Sequence, residues 1–558
     1  MADHDSPLAP LSARADQIFP ILTPAQLARV ARLGRVRAVA SGEVLVREGD
    51  PGVPFFVVKS GRIEVVANSG GSERVVVVHG PGAFTGEAHT LSGRPALFRT
   101  QAAADGEVVE LDRERLLNLI QTDGELSEIF MRAFLLRRVE LVAQGVGNVV
   151  LIGSLHSPAT LRIREFLTRN GHPYAFMDLD RDADVQDLLD RFHVAISDIP
   201  VLICHGVDVL RNPTNDRIAA CLGFNAPVDP ARVRDLVVVG AGPAGLAAAV
   251  YGASEGLDVL VLESDAPGGQ ASASSKIENY LGFPTGISGL DLANRAYAQA
   301  EKFGADFLVA RGASRLGCDR RPFVLDTAGG ERIPTRAVVI ATGAEYRRLP
   351  LENLSRYEGS GVYYAATAVE AQLCGGEEVI VVGGGNSAGQ AAAYLARTVR
   401  RVHLLVRGEG LAATMSRYLI RRIEDNPAIE LRTRTEVVAL EGEGTLEGVR
   451  WRDKRTGEEE TRPIRHIFVM TGAEPNTAWL AGCVALDEKG FIKTGPALSP
   501  GDLAAARWPL ARPPHLLETS LPGVFAVGDV RGGNIKRVAS AVGEGSIAVA
   551  FVHQVLQE

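Results

Sequence analysis

Cysteines are few in this sequence, and no two of them lie close together. The chain of 558 residues contains five, namely Cys204, Cys221, Cys318, Cys374 and Cys483. Their spacing indicates neither a metal cluster nor a local CxxC dithiol. We therefore expect each cysteine to be a small buried apolar residue rather than a redox centre.

An excess of basic residues and a long apolar run are also missing. The net charge of −8 and the pI near 5.9 argue against a nucleic-acid-binding surface. No stretch approaches the roughly 18 consecutive apolar residues of a membrane span, and the polar start MADHDSPLAP does not resemble a signal peptide. We expect a cytoplasmic protein of about three or four domains that binds neither nucleic acid nor a membrane.

The stretch from Asp235 to Glu263 is typical of a βαβ dinucleotide-binding unit. An apolar strand runs into a glycine-rich turn, an alanine-rich helix follows, and a second apolar strand ends on Glu263. Gly240 permits the tight turn, Gly242 lets backbone N–H groups approach a pyrophosphate, and Gly245 lets the helix pack close to its strand. Glu263 is placed to accept hydrogen bonds from an adenosine ribose.

A second nucleotide fingerprint runs from Val379 to Arg407 and ends on a base rather than a carboxylate. Its turn and first helical residues are Gly383, Gly385, Asn386, Ser387 and Ala388. A carboxylate at the strand tip would repel a 2′-phosphate, whereas Arg407, helped by Arg401 or Arg417, would pair with one. The second site therefore favours NADPH over NADH, and two sites in one chain predict FAD in the first.

Short β-rich runs separated by glycines fill residues 1–146, among them GEVLVREGD, PFFVVKSGRIEVV and ERVVVVHGPGAF. Such spacing favours an antiparallel barrel or jelly roll, and the order of the motifs resembles the cyclic-nucleotide-binding domain. The closing helical stretch, Glu125 to Val142, has a broad apolar stripe. That stripe pairs with its twin in regulators that share this fold, or it packs on its own barrel.

Ligand binding by this first module stays open. In the family it resembles, a Gly–Glu pair opens the phosphate cassette, and an arginine nine or ten residues later holds the cyclic phosphate. Gly86 and Glu87 fit that pair, but the ungapped register puts Ala96 where the arginine belongs. The nearest arginines are Arg94 and Arg99, and Arg99 comes three residues late, which on a strand turns it to the other face. A regulatory site of Gly86, Glu87 and Arg99 competes with a structural or dimer-forming role.

Residues 147–228 follow a strand–helix order that resembles the thioredoxin or glutaredoxin fold. Pro200 in an Ile-Pro-Val turn matches the cis proline that faces the active-site loop in that fold. Ser157 and Thr160 stand where a CPYC motif would have its cysteines, so dithiol chemistry is excluded at this loop. A docking surface and a structural spacer are the two remaining interpretations.

A series of further motifs accompanies the two nucleotide fingerprints. They are Gly268-Gly269-Gln270, Ile277 to Tyr280, Ala341-Thr342-Gly343, Thr471 to Asn476, Pro522 to Val530 and Arg537-Val538-Ala539. Together they resemble the low-molecular-weight thioredoxin reductase family of FAD- and NADPH-dependent oxidoreductases. The resemblance implies a homodimer and an FAD domain of residues 231–347 and 476–558, interrupted by an NADPH domain of residues 348–475. It also assigns FAD contacts to Gly269, Gln270, Asn279, Thr342, Gly343, Asp529, Arg537, Val538 and Ala539.

The resemblance fails at one motif. The family's dithiol lies in a Cys-Ala-Thr-Cys loop, and this chain has Ala365 and Ala368 at the two cysteine positions. Without them, electrons cannot pass from the flavin through an internal disulfide. The acceptor is then another redox protein such as thioredoxin, a one-electron carrier such as ferredoxin, or dioxygen or a quinone. A redox sensor without essential turnover is the alternative class.

The sequence thus predicts a multidomain chain. It comprises a β-barrel or jelly-roll cyclic-nucleotide-binding-like domain, a thioredoxin-like α/β domain and two Rossmann-like α/β domains for FAD and NADPH. Because a sensor fold is fused to a domain whose family works by rotation, we expect the N-terminal domain to regulate the NADPH domain.

Overall fold

The structure is a computed structural model that describes residues 15–558 with a few gaps. The gaps are residues 70–71, 86–87, 145–148, 156, 180–197, 206–207, 275, 278, 359, 365, 367, 444 and 481. Its separate sheets agree with the predicted multidomain fold class.

The N-terminal domain is an antiparallel sheet closed by helices, as predicted. Its strands are β1 (Arg35–Val39), β2 (Val44–Val46), β3 (Phe55–Ser69), β4 (Ser72–His79) and β5 (Arg99–Leu111). They are ordered β1-β5-β3-β4, and β2 also pairs with β5. Its helices are α1 (Ala15–Ile18), α2 (Pro24–Leu33), α3 (Ala88–Ser92), α4 (Arg113–Thr122) and α5 (Gly124–Gln144).

The long helix α5 packs its apolar stripe on its own barrel. The ring of Phe130 lies 5.0 Å from that of Phe55 and 4.8 Å from that of Phe84, centroid to centroid. Phe130 and Ala133 are fully buried, whereas Val139 on the other side is 60% exposed. Of the two sequence interpretations, the structure therefore supports packing within the chain.

The thioredoxin-like domain has a four-stranded sheet ordered β7-β6-β8-β9. The elements are β6 (Val149–Gly153), α6 (Pro158–Arg169), β7 (Ala175–Asp178), β8 (Val201–Cys204), β9 (Asp208–Arg211) and α7 (Asn215–Cys221). β6 and β7 are parallel, while β8 runs antiparallel to both of its neighbours. The Ile199–Pro200 bond is cis, as predicted. The predicted helix over residues 183–192 lies outside the described residues.

The FAD domain is built on a seven-stranded sheet. Its first part contains β10 (Arg234–Val239), α8 (Pro243–Ser254), β11 (Val259–Glu263), α9 (Gly289–Lys302), β12 (Asp306–Val309), β13 (Ala313–Gly317), β14 (Phe323–Thr327) and β15 (Arg332–Ile340). Its last part contains α13 (Pro500–Ala505), β26 (Val524–Ala526) and α14 (Val538–Gln557). β26 joins the sheet parallel to β15, so the two distant parts of the chain share one core.

The NADPH domain has a parallel five-stranded sheet and a three-stranded antiparallel sheet. The parallel sheet and its helices are β17 (Val362–Tyr363), α10 (Ala368–Leu373), β18 (Glu378–Val382), α11 (Asn386–Leu395), β19 (Arg401–Val406), α12 (Arg417–Glu424), β20 (Ile429–Thr433) and β24 (His466–Val469). The antiparallel sheet is β21 (Thr435–Glu441), β22 (Gly448–Asp453) and β23 (Glu459–Arg462).

Two short strands connect the FAD and NADPH domains. They are β16 (Ala344–Tyr346) and β25 (Ala473–Pro475), and they pair antiparallel. Both passages of the chain between the domains therefore run side by side. The exact domain boundaries stay predictions.

One described helix, α14, is long and apolar enough to cross a membrane by length and composition alone. It is not a run of about 18 consecutive apolar residues, because Glu544, Ser546 and His553 interrupt it, and the expectation of no membrane span stays a prediction. Ala548, Val549 and Val552 on this helix are nevertheless fully buried in the core of the FAD domain, as in a core helix of a globular domain.

One expectation about cysteine is corrected. Cys318 and Cys483 form a disulfide, with Cα atoms 5.8 Å apart and a separation of 165 positions in sequence. The fold brings the two together because β13 and the segment before α13 pack in one core. Cys204, Cys221 and Cys374 are free thiols, and two of them are buried.

Candidate functional site

One large cavity, of about 2160 Å³, lies where the FAD, NADPH and thioredoxin-like domains meet. A pocket for one small ligand is typically about 300–1,000 Å³, so this cavity has room for more than one. Its wall includes the glycine turns of both nucleotide fingerprints. The two predicted sites therefore open into a common space.

The first glycine turn forms a cradle that side chains would fill. Gly240 has a φ of +101°, and a Cβ there would lie 2.4 Å from the carbonyl oxygen of Ala341. A Cβ at Gly245 would lie 1.8 Å from the carbonyl oxygen of Gly240, so this glycine serves helix–strand packing as predicted. Gly242 is the N-cap of α8 and faces the cavity. The turn thus presents a helix N-terminus that suits a pyrophosphate.

Glu263 ends β11 at the edge of the same cradle. Its carboxylate accepts backbone N–H groups of Ala241 at 2.7 Å and of Asp265 at 2.9 Å. Burial raises the pKa of Glu263, and these two hydrogen bonds oppose the rise. The side chain is thereby held in place, with acceptor capacity left for a ribose hydroxyl.

The residues expected to surround the flavin lie together in the cavity wall, with one exception. Gly269, Gln270, Asn279, Thr342, Gly343, Asp529, Arg537 and Val538 all line it. Ala539 is exposed and is not part of the wall. It follows Val538 in the first turn of α14, where consecutive side chains point in different directions.

Hydrogen bonds fix this end of the cavity. The amide of Gln270 donates to the carbonyl oxygen of Ala344 at the start of β16. Thr342 donates to the carbonyl oxygen of Asn476 at 2.9 Å, which ties the two interdomain connections together. Asp529 accepts a 2.9 Å hydrogen bond from Asn534. The cavity wall beside the domain connection is therefore held by polar contacts on both passages of the chain.

The second glycine turn forms a similar cradle in the NADPH domain. Gly383 has a φ of +146°, and a Cβ there would lie 2.3 Å from the carbonyl oxygen of Met470. Gly385 caps α11 and, with Asn386 and Ser387, lines the cavity. Ala388 points away and is fully buried. The donors therefore converge on a site for a second pyrophosphate.

Arg407 lies at the tip of β19 on the cavity wall, exposed to solvent. Among the described residues, no carboxylate forms a salt bridge with it. Arg401 begins the same strand and pairs with Glu430 at 3.2 Å, so it lies at the opposite end and does not assist Arg407. Arg417 begins α12 and does not line the cavity.

Two tyrosines, Tyr363 and Tyr364, directly precede the segment that carries the dithiol in the family. Ala365 lies outside the described residues, and the side chain of Ala368 is likewise not described. Tyr364 lines the cavity and donates to Glu358 at 2.6 Å, and burial raises the pKa of its hydroxyl. Cys374 is buried, and burial raises the pKa of its thiol to about 11, which makes it a poor nucleophile.

Of the predicted cyclic-nucleotide residues, the structure describes only Arg99. Gly86 and Glu87 lie outside the described residues. Both terminal nitrogens of Arg99 bind Glu73 at 2.7 Å, and this contact lowers the pKa of Glu73. Arg94, just beyond α3, is buried and points out of the domain. The structure thus gives each nearby arginine a partner other than a cyclic phosphate.

Sequence reasoning missed the contribution of the thioredoxin-like domain to the cavity. Eight of its residues line the wall: Pro158, Leu161, Arg162, Arg164, Glu165, Thr168, Arg169 and Tyr174. Six of the eight lie on one face of α6, at helical spacing. The polar residues at that spacing were the available signal, but they are also what a solvent-exposed face looks like.

Comparisons with known proteins agree with this architecture. Residues 234–545 match the model of the pyridine nucleotide-disulphide oxidoreductase family, and residues 36–123 match that of the cyclic nucleotide-binding domain. Thioredoxin reductase of Eremothecium gossypii is 33% identical over 333 residues, which are 58% of this chain and 98% of the relative.

Two further relatives give the same result. Thioredoxin reductase of Bacillus subtilis is 32% identical over 328 residues, which cover 59% of this chain and 96% of the relative. The crystal structure of Lactococcus lactis thioredoxin reductase, described as the FR conformation, superposes with a TM-score of 0.52 at 27% identity and covers 58% of this chain and 100% of that one.

Proposed function

The chain belongs to the pyridine nucleotide-disulphide oxidoreductase family, and on that premise we propose that it passes electrons from NADPH through FAD to an acceptor outside its own chain. It is an FAD-dependent oxidoreductase of the thioredoxin reductase-like type. One observation carries the proposal: the two glycine cradles open into a single cavity. Both cofactors can therefore lie in one space without an intervening dithiol.

The protein's own residues bind, orient and exclude water. Gly242 and Gly385 present helix N-termini to two pyrophosphates, and Glu263 holds the ribose end of the first site. FAD, when bound, supplies the two-electron chemistry. Gln270 and Tyr364 line the part of the cavity where the FAD and NADPH domains meet, so they are placed to position the reacting rings.

The acceptor takes electrons directly at this cavity. Alanines at 365 and 368 remove the internal disulfide route, and the buried Cys374 offers no substitute. The cavity remains open to solvent along the exposed Arg407. An external redox protein, a one-electron carrier and dioxygen or a quinone are the acceptor classes that fit.

Regulation through the N-terminal domain is favoured by one specific contact. Arg94, two residues beyond α3, donates to the hydroxyl of Tyr297 in the FAD domain at 3.3 Å. A nucleotide bound at the cassette would act on this contact. Isothermal titration with cyclic AMP and cyclic GMP, and flavin reduction kinetics with and without them, test this role. No binding and unchanged kinetics would leave the domain with a structural role alone.

We also propose that the protein is a cytoplasmic homodimer. Family membership supports the dimer, as do half-exposed apolar residues on the packed helices α8 and α14, namely Tyr251 and Ile547. Analytical ultracentrifugation tests the dimer, and a monomer at micromolar concentration contradicts it.

The acceptor is tested by a panel of reductase assays on the full chain. We expect NADPH-dependent flavin turnover with one acceptor class, and no reduction of thioredoxin's disulfide through an internal dithiol. The matched control is the double variant Ala365→Cys/Ala368→Cys, which restores the family's motif and is expected to gain disulfide reductase activity. If none of the acceptors supports turnover of the wild-type chain, the sensor interpretation is correct and the enzyme proposal is wrong.

A further inference from the structure

Helix α6 of the thioredoxin-like domain has two faces with different environments. Ile163, Phe166 and Leu167 are buried in the core of their own domain. The opposite face turns to the cavity that holds both nucleotide cradles. Its residues recur every three or four positions, as one face of a helix requires: Pro158, Leu161, Arg162, Glu165 and Arg169.

Polar contacts fix this face on the FAD domain. Arg169, whose side chain is 15% exposed, pairs with Asp265 at 2.8 Å and donates to the carbonyl oxygen of Ala266 at 2.9 Å. Asn215, at the start of α7, donates to the other carboxylate oxygen of Asp265 at 2.7 Å. Both oxygens of one carboxylate are thus held by the thioredoxin-like domain, so the domain position relative to this loop is set by directional bonds.

The loop that contains Asp265, which these contacts hold, belongs to the adenosine end of the first cradle. The backbone N–H of Asp265 donates to Glu263 at 2.9 Å, and Glu263 is the carboxylate placed for the ribose. Ser264 and Gly312 line the same part of the cavity. α6 therefore lies beside the adenosine half of the FAD site. Arg169, its last residue, also donates to the carbonyl oxygen of Gly269 at 3.4 Å.

Arg162 brings a positive charge to this wall. Its guanidinium donates to the side-chain oxygen of Asn215 and, at 2.6 Å, to the carbonyl oxygen of Pro213. Among the described residues, no salt bridge pairs it with a carboxylate. A cation that is held in place by neutral acceptors and faces a cavity is suited to an anionic ligand.

The loop that would carry the dithiol in this fold has hydroxyl residues, Ser157 and Thr160, in place of the two cysteines. Thr160 is fully buried, and its side chain packs against Gly153 of β6, where a Cβ would lie 2.4 Å from the threonine hydroxyl. The side chain therefore points into the domain core rather than into the cavity. Dithiol chemistry is therefore excluded at this helix, whereas its outer face lines the cavity.

We propose that the thioredoxin-like domain is part of the FAD site, with α6 covering the adenosine diphosphate half of the cofactor and Arg162 facing its phosphates. The inference rests on the proposed function in that it takes FAD as the resident cofactor. The ligand class is an adenine dinucleotide.

The test measures flavin affinity and needs no turnover. The full chain is stripped of flavin and retitrated with FAD, then separately with FMN, which lacks the adenosine half, while flavin fluorescence is followed. We expect Arg162→Ala to raise the dissociation constant for FAD about tenfold or more, since it removes a charge-assisted contact. The dissociation constant for FMN is expected to stay within about twofold, because FMN does not reach the wall.

Three further variants sharpen the test. Arg162→Lys keeps the charge and is expected to recover part of the FAD affinity. Leu161→Asp places a negative charge in the wall and is expected to weaken FAD binding by repelling the phosphates of the cofactor. Arg217→Ala is the matched control, because Arg217 lies in the same domain on α7, is exposed and does not line the cavity.

The outcomes separate this inference from the proposed function. Unchanged FAD affinity in both Arg162→Ala and Leu161→Asp overturns the inference and leaves the proposed function intact. Equal losses for FAD and FMN also overturn it, because the effect is then not specific to the adenosine half. A wild-type chain that binds no FAD overturns the proposed function, and this inference with it.

Discussion

Arg94 of the N-terminal domain donates a hydrogen bond to the hydroxyl of Tyr297 in the FAD domain, at 3.3 Å. The same guanidinium donates to the carbonyl oxygen of Asn170 in the thioredoxin-like domain at 3.2 Å, and it lies 4.3 Å above the ring of Phe224. Glu301 on α9 is buried nearby, and burial raises its pKa while Arg138 and Arg94 oppose the rise. One buried side chain therefore joins three domains.

Removing this junction is expected to destabilise the whole chain. Arg94→Ala removes the bonds to the Tyr297 hydroxyl and the Asn170 carbonyl together with the contact with Phe224, although Arg138 still donates to Asn170. The loss is expected to cost about 2 kcal/mol, or roughly 5 °C in Tm. Arg99→Ala is the control, because its pair with Glu73 is on the surface and its loss is expected to change Tm by about 1 °C or less. Calorimetry on both variants decides the matter. Equal shifts would show that Arg94 is not a junction residue.

Coenzyme preference is expected to depend on Arg407. Its guanidinium has no carboxylate partner among the described residues and lies at the tip of β19. Arg407→Ala should raise the Michaelis constant for NADPH about tenfold to a hundredfold, the value of one lost charge-assisted contact, and leave that for NADH unchanged. Arg401→Ala is the control, because Arg401 pairs with Glu430 at the other end of the strand. A parallel rise for both coenzymes would refute the assignment.

The segment before β26 is anchored by a buried ion pair. Glu518 is fully buried. Its carboxylate accepts hydrogen bonds from both terminal nitrogens of Arg512, at 2.7 and 3.2 Å, and from the backbone N–H of Gly523 at 2.9 Å. Arg512→Ala removes the ion-pair partner of this buried carboxylate and is expected to lower the free energy of unfolding by about 3 kcal/mol. Glu558→Gln removes only the exposed partner of Arg512 and should cost far less.

The measurement is flavin release during a thermal ramp. β26 leads directly to Asp529 in the cavity wall, so Arg512→Ala should release flavin at a lower temperature. If Arg512→Ala and Glu558→Gln release flavin at the same temperature, the buried pair does not support the FAD site.

The stability of the N-terminal domain is expected to fall in mild acid because of His79. Burial, aided by the charge of Arg137, lowers the pKa of His79 to about 3. The folded state therefore favours neutral imidazole, and its contribution is complete above the unfolded pKa of about 6.5 and is lost as the pH falls below it. Between pH 7.5 and pH 5 this amounts to about 2 kcal/mol.

The check is a comparison with His79→Gln, which cannot take up the proton. Pulse proteolysis at pH 7.5 and at pH 5 should show a smaller loss of stability in the variant than in the wild type. Equal losses in the two proteins would mean that His79 is not the group responsible.

Backbone-determined features could be predicted from the sequence, and side-chain partners could not. The sequence predicts the roles of three glycines, because no other residue fits the positive φ or the close approach at these positions: Gly240, Gly245 and Gly383. The distance along the chain makes Arg99 a phosphate-binding candidate, but the register of β5 places it opposite Val66 of β3, and its side chain reaches Glu73 on β4. A linear pattern does not contain that neighbour.

Contacts between domains could likewise not be predicted from the sequence. Cys318 and Cys483 are 165 residues apart, and only the return of the chain to the FAD domain makes them adjacent. The cavity-facing residues of α6 have the polarity of a solvent-exposed helix face, so their burial against a neighbouring domain could not be read from composition. The candidate site was therefore predictable within each Rossmann-like domain, while the wall contributed by a third domain was not.

The central claim is that NADPH reduces bound FAD in a chain without an internal dithiol. It is tested most directly by anaerobic titration with NADPH, following the flavin absorbance band. The account predicts complete bleaching at one NADPH per FAD, because FAD takes up two electrons and the Cys318–Cys483 disulfide does not line the cavity. It predicts a second equivalent in the Ala365→Cys/Ala368→Cys variant, which regains the family's dithiol. No bleaching, or a wild-type chain that consumes two equivalents, would contradict the account.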